Sequence, residues 1–96
     1  MQLDGFEWDE GNITKCQKHG VTIEEIEEAL ATIEFVVDDP FEDEKRYRTV
    51  GKTRAGRHVF AVFMIRDGKL RPISVRYMHE KEVKLYEEEM ARTQNR

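Results

Sequence analysis

RHVFAVFMIRDGKLRPISVRY, residues 57–77, is the stretch that decides how this chain folds. Positions 58–65 are apolar almost without a break, which suits a strand covered on both faces. Asp67-Gly68 follows and supplies the positive φ angles of a tight hairpin, so the chain turns back antiparallel. Pro72 lacks an N–H and directs the return strand, residues 70–77, to a sheet edge or a bulge. Upstream, Arg54-Ala55-Gly56 reads as a turn and residues 45–52 as the preceding strand. Glu34-Phe35-Val36-Val37 begins a further β pattern that Asp38-Asp39-Pro40 turns. The expectation is a three- to four-stranded antiparallel meander.

Helices flank it. Thr22 and Glu25 form a T-x-x-E capping box, with Val21 and Ile26 placed as a hydrophobic staple. Ile23, Ile26, Leu30 and Ile33 then recur at helical spacing while the glutamates between them point mostly outward, which predicts a helix to about residue 31. Before it, Asp9 is an N-cap candidate for a helix reaching Lys18, ended by Gly20, with Ile13 and Cys16 inward. Residues 3–8 read as a strand or an extended arm. A last helix over 79–91 carries Val83, Tyr86 and Met90 on one face. The predicted fold class is α+β: an antiparallel three- to four-stranded sheet with two N-terminal helices and one C-terminal helix, all packed on one face.

With 96 residues, a single domain spanning 1–96 is expected. One cysteine, Cys16, excludes an internal disulfide and suits a reducing compartment. No apolar run approaches 18 residues and Met1-Gln2-Leu3-Asp4 lacks a signal-peptide pattern, so a cytoplasmic protein with no membrane partner is expected. The net charge of −4 hides a strong division. Residues 1–44 carry 14 acidic and 2 basic side chains, whereas residues 45–79 carry 10 basic side chains against the single acid Asp67. A basic region of that strength suits an anionic partner or the chain's own acidic half.

Several motifs fail on inspection. Gly51-Lys52-Thr53 resembles the end of a phosphate-binding loop, but position 46 is Arg where the loop needs Gly, and no helix follows. Cys16 and His19 are half a zinc site with no second half. Ser74 is the only serine and sits in a strand without a nucleophile elbow. Neither a metal nor an organic cofactor is expected.

Strand alternation groups the charges. Arg46, Arg48, Val50 and Lys52 share one face, Tyr47 and Thr49 the other. In the return strand, Pro72, Ser74 and Arg76 point one way and Ile73, Val75 and Tyr77 toward the core. If the arginines of both strands face the same side, Arg46, Arg48 and Arg76 are expected close together on a sheet face that suits phosphate, because guanidinium forks stay charged and donate in pairs. Arg76 is expected to be exposed at its strand end, so that its removal costs little stability.

Phe6-Glu-Trp-Asp-Glu10, Lys18-His-Gly-Val21, Arg46-Tyr-x-x-Val-Gly51, Gly56-Arg57, Arg71-Pro-Ile-Ser-Val-Arg76, Glu82 and Tyr86 occur in that order and spacing. Together they resemble the BrnT family of toxins along nearly the whole chain. The resemblance implies a type II toxin–antitoxin system, a RelE-like α+β fold, RNA cleavage without a metal, and neutralisation by a BrnA-type antitoxin. That antitoxin carries a ribbon-helix-helix DNA-binding domain, so DNA would be met only through the complex. Val75 stands where the family usually has alanine, Tyr77 where a basic residue is common, and Lys45 where an acid often precedes the motif arginine.

Cleavage of RNA by its own 2′-hydroxyl needs a positioned phosphate, stabilised developing charge, and proton transfer at both oxygens. Arg46 and Arg76 suit charge stabilisation. An arginine is a poor base, so Glu44, His19, His58 and His79 are the proton-transfer candidates, with Glu44 and His19 grouped with the arginines as the catalytic set. Lys18, Arg48 and Arg57 are candidate phosphate ligands, and Trp8 and Tyr86 read as core. The alternative is a non-catalytic module that binds nucleic acid or protein with the same basic face.

Overall fold

The structure, a computed structural model, describes residues 4–33, 35–40 and 44–94. Glu34 lies outside them, as does Leu3. Along the chain, α1 (Ile13–Cys16) and α2 (Ile23–Ala31) precede the strands β1 (Val37–Asp39), β2 (Arg46–Lys52), β3 (His58–Arg66) and β4 (Lys69–Tyr77). The chain then ends in α3 (Glu80–Gln94). The strands form one antiparallel meander in the order β1-β2-β3-β4, so the apolar run of β3 is central as its composition requires. Asp67 at φ 52° and Gly68 at φ 78° make the β3–β4 turn. Asp38 and Asp39 pair with Tyr47 and Arg46 inside β1 rather than turning out of it.

One sheet face is the core. Val59, Ala61 and Phe63 of β3 pack there with Leu70 and Val75 of β4, against Ile26, Ala29 and Leu30 of α2. The Thr22–Glu25 capping box forms, each side chain closing on the other's backbone N–H. At Gly51 the helix comes so close that a β-carbon would stand 2.1 Å from the Ala29 carbonyl oxygen. This glycine is required by packing, which accounts for the false resemblance to a phosphate loop.

Three local expectations change. The first helix is one turn that starts after Asn12, whose side chain makes no cap bond, because Asp9 accepts from Gly11 N–H and so organises a turn instead of starting the helix. Asn12 itself is buried: its Nδ2 donates to the Glu7 and Pro72 carbonyls, and its Oδ1 accepts from Asp9 N–H. In β4 a bulge interrupts the register opposite Val62 and Phe63, so Val62 pairs with Ser74 but Phe63 with Pro72. The extra residue flips the alternation: Pro72 is fully buried with the core, and Ile73 is only half-buried. The N-terminal arm is extended, with Phe6 bridging Leu70 in parallel.

The helices do not all share one face. No described residue of α3 is buried, and Leu85 on it is 66% exposed. It is held by Tyr86, which stacks on Phe35 at 5.8 Å and meets His58 edge-on at 5.7 Å. His58 lies opposite Lys52, on the sheet face turned away from α2.

Candidate functional site

The register settles which cations share that open face. Arg48 stands opposite Val62, which stands opposite Ser74; Val50 stands opposite Phe60, which stands opposite Arg76. With the two-residue period, Arg46, Arg48 and Arg76 belong to one surface, together with apolar Val50, Phe60 and Val62. Each arginine has a different setting. Arg48 donates through Nε to Asp39 of β1. Arg76 lies 5.0 Å from the Phe60 ring centre and is gripped in a bidentate pair by Glu82, at 2.7 and 2.8 Å. Its side chain is only 35% exposed, so it is neither free nor dispensable to the attachment of α3. The Arg76 guanidinium, with the His79 backbone N–H, holds the Glu82 carboxyl down at about 2.

Arg46 and Glu44 lie at the other end of the face, four positions along β2 from the residue in line with Arg76, so the three arginines share a surface but are not close together as expected. They line a pocket of about 340 Å³ with Lys15, Met64, Arg66 and Arg71. Arg71, which the sequence reading placed in a motif without a role, is buried and bonded by Nη1 to Glu7 and Asp9 and by Nη2 to Asp9. That network holds the Asp9 carboxyl below its ordinary range, chiefly through the Arg71 hydrogen bond.

Lys18, His19 and Arg57 form a second group. Lys18 and His19 are exposed in the turn after α1, beside Gly20, whose carbonyl oxygen lies 3.4 Å from the Tyr77 hydroxyl. Arg57 stacks on the Tyr77 ring at 3.5 Å. The same hydroxyl donates to Glu25 at 2.6 Å, raising the phenol and lowering the carboxyl from their ordinary values. Tyr77 points to the core side of β4 and Arg76 to the open face, so the sequence-derived residues divide around one strand.

The remaining histidines are structural in placement. His58 is buried, with Nε2 lacking a hydrogen-bond partner among the described residues, under the Tyr86 ring. His79 receives the first backbone hydrogen bond of α3 from Val83 N–H. Cys16 is fully buried and its thiol is pushed up to about 11 by that burial, so it is not poised as a metal ligand. Among the described residues, no three His, Cys, Asp or Glu side chains are grouped to hold a metal ion. No helix among them is long and apolar enough to cross a membrane.

The order of motifs, the meander and the two-plus-one helices converge on one family. A family model described as the ribonuclease toxin BrnT of type II toxin–antitoxin systems matches residues 8–82. The chain belongs to the BrnT family. It is therefore a ribonuclease toxin with an antitoxin partner, and its four-stranded antiparallel sheet with two N-terminal helices and one C-terminal helix is the RelE-like arrangement of that family. No curated protein and no solved structure gives a match.

Proposed function

We propose that this BrnT-family toxin cleaves RNA laid across the open sheet face, without a metal, by attack of the 2′-hydroxyl on the adjacent phosphorus. The observation that carries this reading is the strand register, which gives Arg46, Arg48 and Arg76 one common surface that α2 does not cover. Guanidinium groups stabilise the charge that develops on the phosphoryl oxygens. Glu44, beside Arg46, is the geometrically favoured acceptor for the 2′-hydroxyl proton. His19 stands with Lys18 and Arg57 in the second group, which is suited to a flanking stretch of backbone rather than to the same phosphate. Acting in the cytoplasm, the toxin is neutralised by a BrnA-type antitoxin whose ribbon-helix-helix domain takes the complex to DNA.

The test is cleavage of a defined RNA in excess EDTA. Cutting is expected, with 2′,3′-cyclic phosphate and 5′-hydroxyl ends, and a 2′-deoxy substitution at the cut position should abolish it. Cleavage that appears only after a divalent metal is added would overturn the mechanism.

A further inference from the structure

The cations of the open face differ in how fully their donors are used. Arg76 spends both terminal nitrogens on Glu82 at ordinary hydrogen-bond lengths, and Arg48 spends its Nε on Asp39. Arg71 is locked by Glu7 and Asp9. Arg66 is different: its contacts to Glu7 and Glu44 are 3.7 and 3.6 Å, ion pairs too long to be hydrogen bonds. A guanidinium has five N–H donors, and those of Arg66 are poorly filled. Lys15 is exposed and makes no ion pair among the described residues. Both line the same pocket as Arg46, so among the described residues four cations and one carboxylate, Glu44, line the concavity.

We propose that this pocket holds a phosphate of the RNA backbone, with Lys15 and Arg66 as ligands that the sequence reading did not identify. The inference rests on the reading of the open face as the RNA-cleaving surface and locates its phosphate. Four features support it. The pocket is a concavity, so it orients an anion instead of merely attracting one. Its floor includes Met64, buried on β3, and the rigid sheet fixes Arg46 and Arg66 on neighbouring strands. An anion that takes the donors of Arg66 also frees Glu44 from its weak pair and leaves that carboxylate beside the bound group. The bulge at Ile73, which lines the same pocket, serves this geometry: it returns Arg71 to the open face while Pro72 goes to the core.

The experiment titrates the protein with adenosine 3′-monophosphate, and separately with inorganic phosphate, by calorimetry at low salt. Lys15→Gln/Arg66→Gln is compared with Lys81→Gln/Lys84→Gln, which removes the same charge from α3. The first pair should weaken binding of the nucleotide at least tenfold and slow RNA cleavage, and the second should change affinity less than twofold. Equal weakening by both pairs would overturn the pocket in favour of general attraction, and so would no weakening by the first. Cleavage at an undiminished rate by the first pair would overturn its role toward substrate while leaving the cleavage reading intact. Nucleotide binding lost only in the first pair, in a wild-type protein that cuts no RNA, would support the pocket and overturn the cleavage reading.

Discussion

Glu82 holds Arg76 through both carboxylate oxygens, and one of these, Oε1, also accepts the His79 backbone N–H at 2.9 Å. One side chain therefore fixes an arginine of the sheet face and closes the first turn of α3. No described residue of α3 is buried, so this contact and the Tyr86 stack help to keep the helix on the sheet. The pair has a pH signature. The Glu82 carboxyl ionises at about 2 in the fold against 4.5 ordinarily, so its contribution is fully present above 4.5 and is lost as pH falls toward 2.

Thermal unfolding followed from pH 6 to pH 2 tests this. The wild-type melting temperature should fall more steeply below pH 4.5 than that of Glu82→Gln, and the two curves should converge near pH 2. Parallel curves would mean that the ionised pair contributes nothing to stability. The helical signal of α3 should be the first to melt in the variant.

A different contact governs the core face. A β-carbon on Gly51 would strike the Ala29 carbonyl oxygen at 2.1 Å, and that oxygen belongs to helix backbone that cannot rotate away. Gly51→Ala should therefore push α2 off the sheet at a cost of about 1–3 kcal/mol, the range of an overpacked core. Urea unfolding measures it, and a loss below about 0.5 kcal/mol would mean that the helix slides freely. Gly56→Ala is the informative contrast: nothing lies near its β-carbon position, but its φ of +87° makes the cost one of backbone strain, not of collision.

Gly51 also marks where sequence reading works and where it stops. Features set by neighbours in the chain were legible: the Thr22–Glu25 box, the Asp67-Gly68 turn, and the alternation of β2 that gathers Arg46 and Arg48. Their physics is local and periodic. What was missed depends on residues far apart in sequence. Nothing near Asn12 announces that it will bridge Glu7 and Pro72, and nothing near Arg71 announces the pairing with Asp9. Pro72 signalled an edge strand or a bulge, and both occur, but the extra residue reversed the facing of Pro72 and Ile73. The shared face of Arg46, Arg48 and Arg76 survived because Arg76 lies beyond the bulge. The division between that face and the Lys18–His19–Arg57 group could not be read, since it depends on Tyr77 reaching Gly20 and Glu25 across the fold.

On the proposed reading of the arginine face as the RNA surface, the antitoxin covers that face, and the fold already contains a small example of how. Asp39 of the edge strand β1 accepts from Arg48, so an acidic or polar segment of the partner can take the same donors by competition. Such an interface has complementary potentials and salt-sensitive association. Arg46→Glu/Arg48→Glu should therefore weaken antitoxin binding at least tenfold, or about 1.4 kcal/mol, with a smaller loss at high salt. The control reverses Glu24, exposed on α2, and Glu88, exposed on α3, neither of which forms an ion pair among the described residues. Glu27 is unsuitable as a control because its carboxylate accepts from the Trp8 indole at 2.8 Å, so reversing it would disturb the N-terminal arm. Calorimetric titration of both double variants at two salt concentrations decides the matter. An equal or greater loss from the glutamates would mean that the antitoxin binds through the exposed faces of α2 and α3 at least as much as through Arg46 and Arg48.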